Sequence, residues 1–146
     1  MDRKEFLRRC GSVCAGGVVL SIFSEGCRSL RGASMTVEGA EVIIPLSEFV
    51  IGDASMRSFR QFVIGYPDIL QYPLCVFRHR EKDFTALLLR CTHQGTELQV
   101  FGDTMQCPAH GSEFDNRGRV QHGPASFDLV TFPIVNERDQ IRIAIK

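Results

Sequence analysis

The sequence of 146 residues has no surplus of charge of one sign and no dense set of cysteines. Lysine plus arginine equals aspartate plus glutamate at 17 each, so no basic excess exists to neutralise phosphates and we expect no nucleic-acid partner. Six cysteines, unevenly spaced, are too few for a small secreted scaffold stabilised by disulfides. Internal repeats and low-complexity tracts are also missing. With 44% hydrophobic residues, the chain suits one folded domain with a short appendage.

Motifs of common catalytic sites are missing as well. The sequence contains no Ser–His–Asp order, no glycine-rich loop of the phosphate-binding kind and no pair of carboxylates with a plausible pocket. We therefore expect no catalysis by this chain alone.

The N-terminal segment, residues 1–27, is interpreted as a signal, lipoprotein-like or anchor segment. Four basic and two acidic side chains among the first nine residues precede an uncharged stretch at residues 10–24, which is the order of a secretory signal. That stretch is shorter than the roughly 20 apolar residues of a membrane-spanning helix. Residues 2–8 resemble the twin-arginine export signal, with Lys4 in place of its second arginine, and Cys27 is a candidate for lipid attachment. A helix packed on the domain is the alternative. We expect an exported, periplasmic or membrane-attached protein, with a linker at residues 28–34.

The remainder, residues 35–146, consists of short hydrophobic stretches separated by turn signals. Apolar and polar residues alternate at residues 129–135 and 140–145, which is typical of strands with one buried face. Residues 45–49 allow a single helical turn, and no longer helical periodicity occurs. The sequence predicts an all-β sandwich or barrel. Its predicted strands are 42–45, 58–64, 74–78, 84–90, 97–101, 127–135 and 141–145.

Two short motifs each supply one thiolate and one imidazole: Cys91 with His93, and Cys107 with His110. Each motif follows a predicted strand, and 13 residues separate His93 from Cys107, so two facing loops could supply one metal site. Structural zinc is an alternative. Zinc fingers, however, place both cysteines before both histidines, whereas the order alternates here.

The chemistry of a 2Fe–2S cluster explains the mixture of two thiolates and two imidazoles. Two thiolates on one iron and two neutral imidazoles on the other make the cluster less negative than one held by four cysteines, so it is easier to reduce. Such centres span about −150 to +300 mV, against roughly −400 mV for plant-type clusters. The sequence therefore predicts one-electron transfer, with the imidazole-bound iron accepting the electron.

At these residues, over about 91–129, the sequence resembles the Rieske family of iron–sulfur proteins. The resemblance implies a Rieske-type antiparallel β-sandwich or barrel with a small cluster-binding part at about residues 91–126. It also implies that Cys91 and Cys107 bind one iron and that His93 and His110 bind the other. The residues implied to surround the cluster are Gly95, Gly111, Ser112, Phe114, Gly123 and Pro124. Among them, Ser112 would donate a hydrogen bond to a bridging sulfide, and residues 123–125 would cover the cluster.

Two departures from the quinol-oxidising members of the family bear on the reduction potential. Thr96 and Ala109 stand where those members have a disulfide between the two cluster loops, and Phe114 stands where they have a hydrogen-bonding tyrosine. Fewer hydrogen bonds to the sulfurs lower the potential, because such bonds stabilise the more negative reduced cluster. The resemblance thus implies a potential below that of quinol-oxidising members and above that of members lacking Ser112.

The function expected from these features is one-electron transfer by a small exported or membrane-attached carrier or subunit of a larger oxidoreductase. Its partner would be a redox protein or a quinol. The alternatives are a soluble ferredoxin of a Rieske oxygenase system and a structural zinc-binding module. A self-contained oxygenase is not expected, because the sequence ends at Lys146 without a large second domain.

Overall fold

Fourteen short strands and one 3-10 helix, Leu46–Phe49, make up the described part of the chain in the computed structural model, which covers residues 32–53 and 56–145. The predicted signal or anchor at residues 1–27, including Cys27, lies outside the described residues, as does most of the predicted linker. Among the described residues, no helix has the length and apolar character that crossing a membrane requires. The strands are β1 Thr36–Glu38, β2 Glu41–Pro45, β3 Val50–Ile51, β4 Ser58–Phe59, β5 Phe62–Gly65, β6 Leu74–Arg80, β7 Asp83–Leu88, β8 Gln99–Phe101, β9 Thr104–Gln106, β10 Glu113–Asp115, β11 Val120–His122, β12 Thr131–Phe132, β13 Ile134–Asn136 and β14 Gln140–Ala144.

The strands pair antiparallel in three four-stranded sheets, with β3 and β4 forming a separate pair. We call β1-β2-β14-β13 the base sheet, β12-β7-β6-β5 the middle sheet and β11-β10-β9-β8 the outer sheet. The predicted all-β class is therefore confirmed, and so is the helical turn expected at residues 45–49.

The middle sheet lies between two hydrophobic cores. Along β6, Leu74 and Val76 pack into the core shared with the base sheet, whereas Cys75 and Phe77 pack into the core shared with the outer sheet. All four side chains are fully buried, because successive residues of a strand point to opposite faces. A strand that is buried on both faces has an uninterrupted apolar sequence, which explains the run from Leu74 to Phe77.

The core between the middle and outer sheets supports the segments that carry the candidate ligands. Its members include Leu87 of β7, Met105 of β9 and Phe114 of β10, together with Cys91 and Cys107. The two candidate cysteines are therefore part of a packed apolar layer.

The predicted strand at residues 127–135 is wrong in its first four residues and is interrupted later. The Asp128 carboxylate accepts a hydrogen bond from the Val120 N–H at 2.8 Å, and the Leu129 N–H donates to the Gly118 carbonyl at 2.8 Å. These contacts hold residues 127–130 against the β10–β11 turn instead of in a ladder. Farther along, β12 and β13 are separate because Pro133 has no N–H to donate.

The β10–β11 turn depends on a glycine. Gly118 has a φ of +82°, and a Cβ added there would lie 2.7 Å from Cδ2 of Leu87 and 3.3 Å from Cβ of Leu129. Gly102, in the β8–β9 turn, has a φ of +58° and no atom within 4 Å of the same position. Gly102 is thus a matched control for the backbone contribution alone.

We expect Gly118→Ala to destabilise the protein more than Gly102→Ala does. Both variants carry the left-handed penalty of about 1–2 kcal/mol, but only Gly118→Ala adds overpacking, which costs roughly 1–3 kcal/mol. Denaturant unfolding followed by circular dichroism measures the difference. Equal losses of stability in the two variants would contradict the steric explanation.

Candidate metal centre

Two loops with the same backbone pattern carry the candidate ligands. In each loop, the N–H of the cysteine donates to the carbonyl five residues later, and the N–H of the glycine four residues later donates to the cysteine carbonyl. The bonds measure 2.8 to 2.9 Å in both loops. We call residues 91–96 ligand loop 1 and residues 107–112 ligand loop 2.

A glycine in a left-handed conformation closes each loop. Gly95 has a φ of +78° and Gly111 a φ of +75°, values that other L residues rarely adopt. Ligand loop 1 follows β7 closely, and ligand loop 2 directly follows β9. Both loops are therefore fixed at the ends of paired strands.

The two cysteines come from different loops and meet in the interior. Cys91 and Cys107 are each 2% exposed and belong to the same hydrophobic core, and the Cys91 side chain is close enough to the Cys107 thiol to affect its pKa. Burial raises the pKa of the Cys107 thiol, but N–H donors of His110 and Ala109 and the side chains of Cys91 and Thr96 outweigh burial, so the pKa is below its usual value. A lowered pKa favours the thiolate, which is the form that binds metals.

Cys75 shows what burial alone does to a cysteine in this fold. It is fully buried in β6, and burial strongly raises the pKa of its thiol. Cys75 therefore stays a neutral thiol that packs like a small apolar side chain, as its apolar neighbours in the sequence predict. The contrast with Cys107 comes from the hydrogen-bond donors of ligand loop 2.

The two histidines also come from different loops, and they meet at the surface. The ring centroids of His93 and His110 lie 5.0 Å apart with an interplanar angle of 87°, and both residues are exposed. The structure thus groups the four side chains by type, with the two sulfurs inside and the two imidazoles outside.

Grouping by type suits two metal ions better than one. Within the described residues, no set of three or more His, Cys, Asp or Glu side chains is arranged to hold a single metal ion. Tetrahedral zinc takes all four ligands on one ion. A 2Fe–2S centre of mixed ligation needs only two protein ligands on each iron, so the residues present fit that group.

A third loop, residues 123–127, is tied to both ligand loops. The Ala125 N–H donates to the buried Ser112 hydroxyl at 3.0 Å, and the Thr92 hydroxyl donates to the Phe127 carbonyl at 2.6 Å. The Gly123–Pro124 peptide bond is cis. Gly123 and Pro124 are exposed, whereas Ala125 is buried.

Two contacts at the ligand loops were not foreseen from the sequence. The sequence marks Thr96 only as the site of a missing cysteine, yet its side chain is among the groups that lower the pKa of the Cys107 thiol in the other loop. The guanidinium of Arg90 lies over the Tyr72 ring, 5.6 Å from its centroid. No sequence signal pairs these residues, since both contacts join separate segments of the chain.

The remaining residues expected near the site differ in burial. Phe114 is fully buried in β10 and belongs to the core beneath the two cysteines. Ala109 is exposed in ligand loop 2. Ligand loops 1 and 2 and the third loop, residues 123–127, contain no Asp, Glu, Lys or Arg, so the exposed imidazoles lie on uncharged loops.

Comparison with proteins of known function identifies the family. The chain is 30% identical over 140 residues to the cytochrome b6-f complex iron–sulfur subunit of Cyanothece sp. strain PCC 7425, which covers 88% of this chain and 76% of that subunit. It is 36% identical over 83 residues to the oxygenase component of dicamba O-demethylase from Stenotrophomonas maltophilia, which covers 50% of this chain and 24% of that protein. The chain spans between 21% and 32% of the length of three curated relatives, this oxygenase component among them.

A solved structure and a family model agree with these relatives. The cyanobacterial plasma membrane Rieske protein PetC3 from Synechocystis PCC 6803 superposes with a TM-score of 0.50 at 27% identity, covering 57% of this chain and 85% of that chain. The model of the Rieske [2Fe-2S] domain matches residues 57–133, which is more than half of the sequence. The chain therefore belongs to the Rieske [2Fe-2S] domain family.

Proposed function

We propose that the protein transfers single electrons through a Rieske-type 2Fe–2S cluster, with Cys91 and Cys107 on one iron and His93 and His110 on the other. The observation that carries this proposal is the separation of the four side chains by type, with two cysteines buried in one core and two exposed imidazoles side by side. When bound, the cluster supplies a one-electron couple, which none of the protein's own side chains in the site provides.

The buried cysteines and the exposed histidines would have different roles at the cluster. Cys91 and Cys107, packed in the core, would exclude water from the sulfur side. His93 and His110 would bring the other side to the surface, where a partner can approach them. Ser112 holds the third loop through Ala125, and its hydroxyl hydrogen is free to point toward a bridging sulfide.

The three loops at the candidate site are uncharged and expose apolar side chains. Pro108 of ligand loop 2 and Pro124 and Phe127 of the third loop are exposed, and Phe127 is 74% exposed. Such a surface favours contact with an apolar partner surface over contact with a highly charged one. It supports a role as a carrier or subunit that docks within a larger oxidoreductase and exchanges electrons with a redox protein or a quinol.

Attachment to a membrane, or export, is part of this proposal. It rests on the order of charged and uncharged residues at 1–24. It is also supported by the relatives, one of which is a subunit of the cytochrome b6-f complex and another a plasma membrane Rieske protein.

A soluble ferredoxin of an oxygenase system is the second candidate. The similarity to the oxygenase component of dicamba O-demethylase favours it, as does the absence of cysteine at Thr96 and Ala109, where quinol-oxidising members have their disulfide. The two candidates differ in where the protein resides.

Fractionation of cells separates these two candidates. We expect the native full-length protein in the membrane or periplasmic fraction, with a mature N-terminus that no longer begins at Met1 as shown by mass spectrometry. Recovery in the cytosol with Met1 or Asp2 at the N-terminus would favour the ferredoxin instead.

Substitution of the paired cysteines tests the cluster itself. We expect the purified protein to contain iron and inorganic sulfide and to give a low-temperature EPR signal on reduction. Cys107→Ala should abolish all three, because one iron loses half of its protein ligands. Cys75→Ala is the matched control, since it removes an equally buried thiol outside the pair, and it should retain the cluster. Colourless wild-type protein, or loss of the cluster in both variants, would argue against this ligand assignment.

Changes in hydrogen bonding at the site should move the reduction potential in opposite directions. Ser112→Ala removes a hydroxyl donor and should lower the potential, and Phe114→Tyr supplies a hydroxyl and should raise it. Ser112→Ala also leaves the Ala125 N–H without its partner, at a cost of about 1–3 kcal/mol. Protein-film voltammetry measures the potentials. Unchanged values in both variants would refute the assigned roles.

A further inference from the structure

Arg90 immediately precedes Cys91, and its guanidinium lies on the backbone of ligand loop 1. A Cβ built on Gly95 would be 3.3 Å from Nε and 3.5 Å from Nη2 of Arg90. Gly95 in turn donates its N–H to the Cys91 carbonyl at 2.8 Å. The positive charge therefore lies against Gly95, two residues after His93 in ligand loop 1.

The aromatic ring of Tyr72 holds the guanidinium in this position. Cζ of Arg90 is 5.6 Å from the ring centroid, and the Tyr72 hydroxyl oxygen lies 3.6 Å from the same Cβ position on Gly95. Stacking on an aromatic ring stabilises the position of an arginine side chain. The Tyr72 hydroxyl and the Arg90 guanidinium both lie against Gly95, whose φ of +78° favours glycine at this position.

Arg90 forms no ion pair with a carboxylate of the described residues. The ion pairs in that part of the chain involve Arg117, Arg119 and Arg142. Glu97 faces Arg90 across an isolated antiparallel bridge, yet their side chains form no ion pair. Since the loops themselves are uncharged, Arg90 is the positive charge that directly adjoins ligand loop 1 in the sequence.

We infer that Arg90, positioned by Tyr72, raises the reduction potential of the cluster and is the electrostatic determinant of this protein's redox poise. Reduction adds one negative charge to the cluster, and a fixed positive charge beside the loop stabilises the reduced form over the oxidised form. The inference rests on the proposed function, because it requires a cluster bound by ligand loop 1. It assigns Arg90 a positioning and electrostatic role and no contact with a substrate.

The test is protein-film voltammetry of the intact, cluster-loaded protein and its variants. Arg90→Gln should move the midpoint potential downward, and the shift should be larger at low ionic strength, because salt screens an exposed charge. Arg90→Lys keeps the charge and should retain most of the wild-type potential. Arg80→Gln is the matched control. Arg80 is an exposed arginine at the last position of β6, roughly 20 Å along the strand from Leu74 at its first position. Its substitution should leave the potential unchanged.

Tyr72 provides a second line of test that leaves Arg90 in place. Tyr72→Phe keeps the ring and should keep the potential, whereas Tyr72→Leu frees the guanidinium and should lower the potential by less than Arg90→Gln does. If Arg90→Gln fails to fold or to bind the cluster, Tyr72→Leu decides, and an unchanged potential in that variant overturns the inference.

Two further results for the Arg90 variants would overturn the inference. A shift in Arg90→Gln no larger than in Arg80→Gln, or an equal shift in Arg90→Lys, overturns the inference, since charge would then not be the cause. Visible absorption and EPR of each sample show whether the cluster is present. Wild-type protein without a cluster contradicts the proposed function itself, whereas cluster-loaded variants with unchanged potentials contradict only the role of Arg90.

Discussion

Burial of Cys91 and Cys107 in one core is the constraint on which the rest of the site depends. The two residues belong to separate loops, and each is held in the same apolar layer as Leu87 and Met105. The layer forms only where the outer sheet packs on the middle sheet, so the packing of these two sheets brings the two ligand loops together.

The separation of sulfur from imidazole follows from burial. A thiol can be buried without loss, because it is among the least polar of the titratable side chains, whereas an imidazole buried without partners loses its hydrogen bonds to water. Placing Cys107 inside and His110 outside, within one short loop, lets each ligand occupy the environment that suits it. This arrangement suits an electron carrier, because the cysteine side of the site is protected from water while the histidine side is accessible to a partner.

Local patterns predicted much of this structure, and long-range contacts account for what they missed. The apolar run at Leu74–Phe77 and the alternation at residues 140–145 correctly predict strands, because the residue types show which faces of each strand are buried. The predicted strand at 127–135 is wrong at its start because the Asp128 carboxylate accepts a hydrogen bond from the N–H of Val120 in β11. The contact of Tyr72 with Arg90 likewise could not be read from either residue alone. The ligand spacing predicted two facing loops, but which side chains face each other depends on how those loops pack.

The double burial of β6 has a consequence for how the protein tolerates change. Leu74 and Val76 serve one core while Cys75 and Phe77 serve the other, so a slip of one residue in pairing would exchange the two sets. A substitution that changes packing against the base sheet therefore also affects β6, which contributes to the core of the ligand loops. Paired substitutions on the two sides of β6 should consequently show non-additive energies in double-mutant cycles.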